Sequence, residues 1–152
     1  MTDESRTSVR PYVQVAAICQ TPMQEVTGYL SVIRIMDRVQ IGGITDEMQP
    51  QPLNQLFIVI VLKSGEMKGK FKMTIVPETP SRKRLPGPEL TILFEGEERG
   101  VATVLPVGIV AEEEGLYWFD VMLEGDLLTR IPLRVMYQKI QPGMAFPLPQ
   151  PS

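Results

Sequence analysis

The sequence predicts an all-β protein, an antiparallel β-sandwich of about eight strands with an immunoglobulin-like arrangement. Three observations predict it. No long segment carries apolar residues at the helical period of 3.6, whereas short apolar or alternating runs recur along the whole chain. Turn signals rich in Gly and Pro separate these runs. Finally, Glu113, Gly115, Tyr117 and Phe119 occupy alternate positions. At this spacing the tyrosine of an immunoglobulin-like sandwich closes a corner by bonding upstream backbone.

The elements follow in order. Residues 1–10 are polar and are expected to fray. The first strand opens at Tyr12, with Val13, Val15, Ala17 and Cys19 sharing one face. Residues 21–27 read as a turn, and Gly28 opens a second strand that runs to Val39. The segment IGGITDEMQPQPLN has two Gly and two Pro and reads as a loop. The third strand, QLFIVIVLK, is apolar throughout, as expected of a central strand covered on both faces. The fourth, KGKFKMTIV, alternates, with Phe71, Met73 and Ile75 opposed to Lys70, Lys72 and Thr74. Pro77 and Pro80 are expected to end it. PETPSRKRLPGP is a Pro-rich loop, ELTILFE a fifth strand, and RGVATVLPVGIV a sixth, interrupted at Pro106. GLYWFDVMLEGDLLTRIPLRV, Gly115 to Val135, reads as a hairpin of the seventh and eighth strands, turning at Glu124-Gly125-Asp126. The sandwich is thus expected over residues 11–138, with a Pro-rich tail at 139–152 that should be extended.

Composition narrows the function classes. At 152 residues, 43% hydrophobic and 22% charged, the chain suits one domain with its own core. A net charge of -3 exerts no broad pull on nucleic acid or anionic membrane, and neither is an expected partner. The chain has no histidine. That removes Ser-His and Cys-His nucleophiles, imidazole metal sites and the commonest neutral-pH general base. The single cysteine, Cys19, rules out an intramolecular disulfide and a thiolate cluster, and reads as a small buried hydrophobe. The N-terminus has no basic stretch followed by an apolar one, so no signal peptide is read and a cytoplasmic location is expected. The longest apolar run, Leu56 to Leu62, is too short to span a bilayer. No catalytic residue, cofactor or metal ligand is expected.

Two stretches, GYLSVIRIMDRV and GLYWFDVMLEGDLLTRIPLRV, carry a resemblance. With an apolar strand and a Pro-bounded loop between them, they resemble a family of small uncharacterised bacterial proteins, a domain of unknown function of similar length. The resemblance covers roughly residues 12–137. It implies an all-β fold and carries over no activity and no site residue.

Several charged groups are candidate sites. SRKR at 81–84 and the alternating Lys68, Lys70 and Lys72 read as a solvated loop and as edge protection. Glu95, Glu97, Glu98 and Glu112 to Glu114 lack the Asp-rich spacing of a calcium loop. Arg34, Asp37 and Arg38 read as structural ion pairing. The tail PLPQPS has the composition of a polyproline ligand without a flanking cation.

The two-faced strands carry the main functional expectation. In the third strand Phe57, Val59 and Val61 are left over once Leu56, Ile58, Ile60 and Leu62 face the core. In the seventh, Leu116, Trp118 and Met122 are left over once Tyr117, Phe119, Val121 and Leu123 do. Taken as neighbours in one sheet, the two strands would merge these six side chains into one apolar patch. The expected function is therefore a non-catalytic sandwich acting by protein–protein contact through this face, with a second copy or another protein as partner. The alternative is a small-molecule or sugar-binding module using loops at one end of the sandwich.

Overall fold

The computed structural model describes residues 10–141 and residue 143. The expected frayed N-terminus and nearly all of the Pro-rich tail lie outside the described residues. Among the described residues the chain forms eleven strands and no helix. They are β1 (Tyr12–Gln24), β2 (Leu30–Met36), β3 (Arg38–Gly43), β4 (Gln51–Pro52), β5 (Phe57–Lys63) and β6 (Lys68–Glu78). Then come β7 (Glu89–Glu95), β8 (Gly100–Pro106), β9 (Val110–Ala111), β10 (Gly115–Leu123) and β11 (Asp126–Lys139).

The strands build a two-sheet sandwich. One sheet has the order β2-β1-β5-β8 and the other the order β3-β11-β10-β6-β7. The short β4 and β9 pair with each other. In chain order β1, β5 and β8 stand where strands A, B and E of an immunoglobulin-like sandwich stand, and β6, β10 and β11 where C, F and G do. The fold class expected from the sequence is the one observed.

This topology corrects four expectations. The strand QLFIVIVLK, β5, takes the second position rather than the third, so it lies in the sheet opposite β10 instead of beside it. The predicted second strand is two strands: β2 closes a hairpin on β1, then the chain crosses at Asp37 and continues as β3 in the other sheet. There β3 pairs with β11 in parallel, the one departure from antiparallel pairing among the named strands. Lastly, β6 runs through Pro77 to Glu78, because both still pair with β10, opposite Phe119 and Trp118; the Pro77 carbonyl also accepts a hydrogen bond from Leu85 N at 2.8 Å. The Pro-rich loop thereby folds back along β6, and Gly87 is required there: a Cβ on it would come within 1.7 Å of the Ile75 carbonyl oxygen.

The core forms where inner faces meet. Ile58, Ile60 and Leu62 of β5 are buried in one cluster with Tyr117, Phe119 and Val121 of β10. Burying each such side chain contributes about 1.5–3 kcal/mol relative to exposure. Tyr117 makes the expected corner: its hydroxyl donates to the Glu113 carbonyl oxygen at 2.8 Å. Burial pushes its phenol pKa up. The β10–β11 turn places Glu124 and Gly125 both at positive φ, as a two-residue type I′ hairpin demands.

Candidate interaction surface

The outward face of the four-stranded sheet is assembled by register. Cys19 lies opposite both Ile35 and Phe57, and Phe57 opposite Pro106. Ala17, Val59 and Val104 form the next row, and Val15, Val61 and Ala102 the third. None of these side chains carries a charge. A β-bulge between Val13 and Val15 sets this arrangement. Val13 pairs with Leu62 on the core side, whereas Val15 pairs with Val61 on the outside. The four residues expected to share a face are thus divided, because a bulge inserts one residue into one strand and reverses the alternation beyond it.

Exposure across this face is uneven. Val59 and Cys19 are both 0% exposed, although neither belongs to the inter-sheet core. Ile35 is 69% exposed, and Val15, Ile33 and Val104 are also open to solvent. Part of the cover comes from the chain itself. The β1–β2 hairpin runs past the end of the β1–β5 pairing. Pro22, Gln24, Gly28 and Leu30 of its far end line a cavity of about 360 Å³ with Ala102 and Val104 of β8. β2 and β8 are opposite edges of the sheet, three strand spacings or roughly 14 Å apart. The hairpin therefore overhangs the outward face. Burial raises the pKa of the Cys19 thiol, which lowers its thiolate fraction and its reactivity.

Leu116, Trp118 and Met122 lie on the other side of the molecule, on the outward face of the five-stranded sheet. The six residues expected to form one patch are split between two faces, Phe57, Val59 and Val61 on one and Leu116, Trp118 and Met122 on the other. The physical reason is the strand assignment above: β5 and β10 face each other across the core.

The β10 side is also less bare than its sequence suggests. Asp120 is 5% exposed and accepts from Arg130 Nε at 2.6 Å and from Arg84 Nη1 at 3.2 Å. Arg130 also donates to Glu78 at 2.9 Å, and its guanidinium stacks 4.6 Å from the Trp118 ring centre. Arg84 comes from the SRKR loop, so one of the three cations read as solvated is committed to covering this sheet. Lys68, Lys70 and Lys72 sit on β6, which is not an edge strand; β7 lies outside it. The expectation that they protect an edge is therefore corrected.

The remaining charged groups have separate duties. Glu113 accepts from the Ser81 backbone N–H at 2.8 Å, Glu114 from that of Tyr137 at 2.7 Å, and Glu95 from Arg99 at 2.8 Å. Asp37 pairs with Arg38 at 3.5 Å on the surface, and Arg34 donates to Gln20 at 3.2 Å. Among the described residues no three Asp, Glu or Cys side chains gather in a way that would hold a metal ion. No helix among them is long and apolar enough to cross a membrane.

The residues that sequence reasoning missed on the outward face are Ile33, Ile35 and Val104. Their alternation was visible, but an alternating strand does not state which of its faces turns outward. No family model matches the sequence, and neither does any curated protein. Among solved structures, the β-D-glucoside glucohydrolase of Trichoderma reesei is 9% identical with a TM-score of 0.47, the match covering 84% of this chain and 19% of that one. A β-glucosidase of Listeria innocua in complex with glucose is 11% identical with a TM-score of 0.44, covering 82% and 16%. An immunoglobulin-like protein of Pseudomonas aeruginosa is 12% identical with a TM-score of 0.42, covering 83% of this chain and 96% of that one. This chain spans less than a fifth of either glucosidase.

Proposed function

We propose that this chain is a non-catalytic β-sandwich module that acts by protein–protein contact through the outward face of its four-stranded sheet. The observation that carries this reading is the set of uncharged cross-strand rows around Val59, with Ile35, Ile33, Val15 and Val104 left open at their margins. Interface centres are depleted of charge in this way, and monomers seldom leave large contiguous apolar areas uncovered. A second copy is the partner we propose. Two copies meet through the apolar margins of this face that the hairpin leaves open, related by a two-fold axis. The setting we propose is cytoplasmic, which a lone unpaired cysteine suits.

Light scattering at tens of micromolar tests the proposal. The wild-type protein is expected at twice its 17.1 kDa chain mass. The double variant Ile35→Arg, Val104→Arg places two cations on the face from exposed positions and is expected at the single-chain mass. A wild-type protein that scatters as a monomer removes the homodimer.

A further inference from the structure

One cleft lies apart from that face. It has a volume of about 470 Å³ and sits where the chain crosses between the sheets. One wall is Val39, Gln40, Ile41 and Gly42, four consecutive residues of β3. Side chains of a strand alternate between faces, so four consecutive residues line one cavity only when it runs along the strand's edge. Among the described residues that edge is free, because β3 is the outermost strand of its sheet and pairs there only with β11.

The opposite wall is the segment from Gln51 to Leu56. It is pinned by backbone hydrogen bonds, Leu53 N to Ile109 O at 2.9 Å and Val107 N to Leu56 O at 2.8 Å. Asn54 and Gln55 remain exposed. The slot thus has a row of backbone N–H and C=O groups on one side and side-chain amides on the other. Leu53, Leu56 and Met36 contribute apolar surface. Among the described residues no Asp, Glu, Lys or Arg lines it.

We propose that this slot binds an extended, uncharged segment of a partner protein, which adds a strand to the free edge of β3. Backbone groups on the β3 edge pair with the peptide main chain, and the amides of Asn54 and Gln55 serve the peptide groups facing away from β3. An uncharged lining leaves a charged guest without a counter-ion, which selects a neutral segment. The four residues of β3 along the slot match about four peptide residues. The chain's own C-terminal stretch is a poor occupant, since four of its last 12 residues are proline and lack the N–H that strand addition needs. Because the segment 51–56 lines the same cavity as the β3 edge, the guest we propose is one extended chain rather than the edge of a second folded sheet.

The test is selection of a displayed library of nine-residue peptides built only from uncharged residues, against the full-length chain. Peptides poor in proline are expected to be enriched. Bound, a selected peptide is expected to slow hydrogen exchange at Arg38–Gly43 at least tenfold. Asn54→Trp, which fills the slot from an exposed position, is expected to weaken binding at least tenfold, and Asn54→Gln to retain it. The double variant Ile35→Arg, Val104→Arg is expected to bind the peptide as the wild type does, which separates this site from the dimer face. No enrichment, or enriched peptides that leave Arg38–Gly43 unprotected, overturns the proposal. So does maltotriose protecting these amides where no peptide does, which would make the slot a sugar site.

Discussion

Arg130 places its Nε 2.6 Å from Asp120 Oδ1 while its guanidinium covers the Trp118 ring at 4.6 Å. The two contacts have one origin. Asp120 and Arg130 are directly opposed on β10 and β11, and Trp118 is two residues along the same face of β10. Arg84 reaches Asp120 from the Pro-rich loop and meets Glu78 at 3.6 Å. Two cations and two carboxylates thus balance over a sheet face that Trp118 and Met122 make apolar. The hydrogen bond to Asp120 holds the Arg130 guanidinium more firmly protonated than usual.

Asp120 is the member whose loss costs most, since it is buried and accepts from both arginines. Asp120→Ala is expected to lower unfolding stability by about 1.5–3 kcal/mol, the range for hydrogen bonds to charged groups. Arg84→Ala is expected to cost less, about 0.5–1 kcal/mol, because Arg84 is half exposed and its pairing is solvent-screened. Urea titration checks both. An Asp120→Ala protein as stable as the wild type would show that the network is ornamental.

Tyr117 gives a pH signature. Tyr117→Phe keeps the ring and removes the corner hydrogen bond, for an expected loss of about 1 kcal/mol at neutral pH. Burial raises the folded-state pKa of the phenol above its unfolded value of about 10. The unfolded chain then releases the proton first. The hydroxyl's contribution is therefore complete below pH ~10 and is lost as pH rises through the folded-state value. Stability curves of the two proteins should run parallel from neutral pH to about pH 9 and converge above. A gap that widens with alkalinity would contradict the corner.

Cys19 reports on the covered outward face. Its thiol is buried and its pKa raised, so a thiol-specific disulfide reagent at neutral pH should label the native protein at least ~100-fold more slowly than the urea-unfolded one. Prompt stoichiometric labelling of the native chain would mean that the outward face is not covered at Cys19.

Much of the secondary structure was legible because it is local. The Glu124-Gly125 turn, the alternation of β6 and the apolar run of β5 follow from residue type and the two-residue period of a strand. The Tyr117 corner was legible for the same reason, since all its parts lie within a few residues. The candidate face was only half legible. Phe57, Val59 and Val61 do lie on an outward face, but their partners there are Cys19, Ile35 and Val104 rather than Leu116, Trp118 and Met122.

By itself, then, the sequence determined the class of fold, the positions of most strands, the β10–β11 hairpin and the absence of histidine chemistry. The tertiary structure alone decided which sheet each strand joined, the crossing at Asp37, the hairpin over the outward face and the slot beside β3. The physical reason is range. Alternation is set within one strand, by the pleat, and can be read residue by residue. Sheet membership is set by pairing between segments far apart in the chain, as when Arg38–Gly43 meets Arg134–Lys139. A strand apolar on both faces satisfies many such pairings equally well, so its own residues do not name its neighbours.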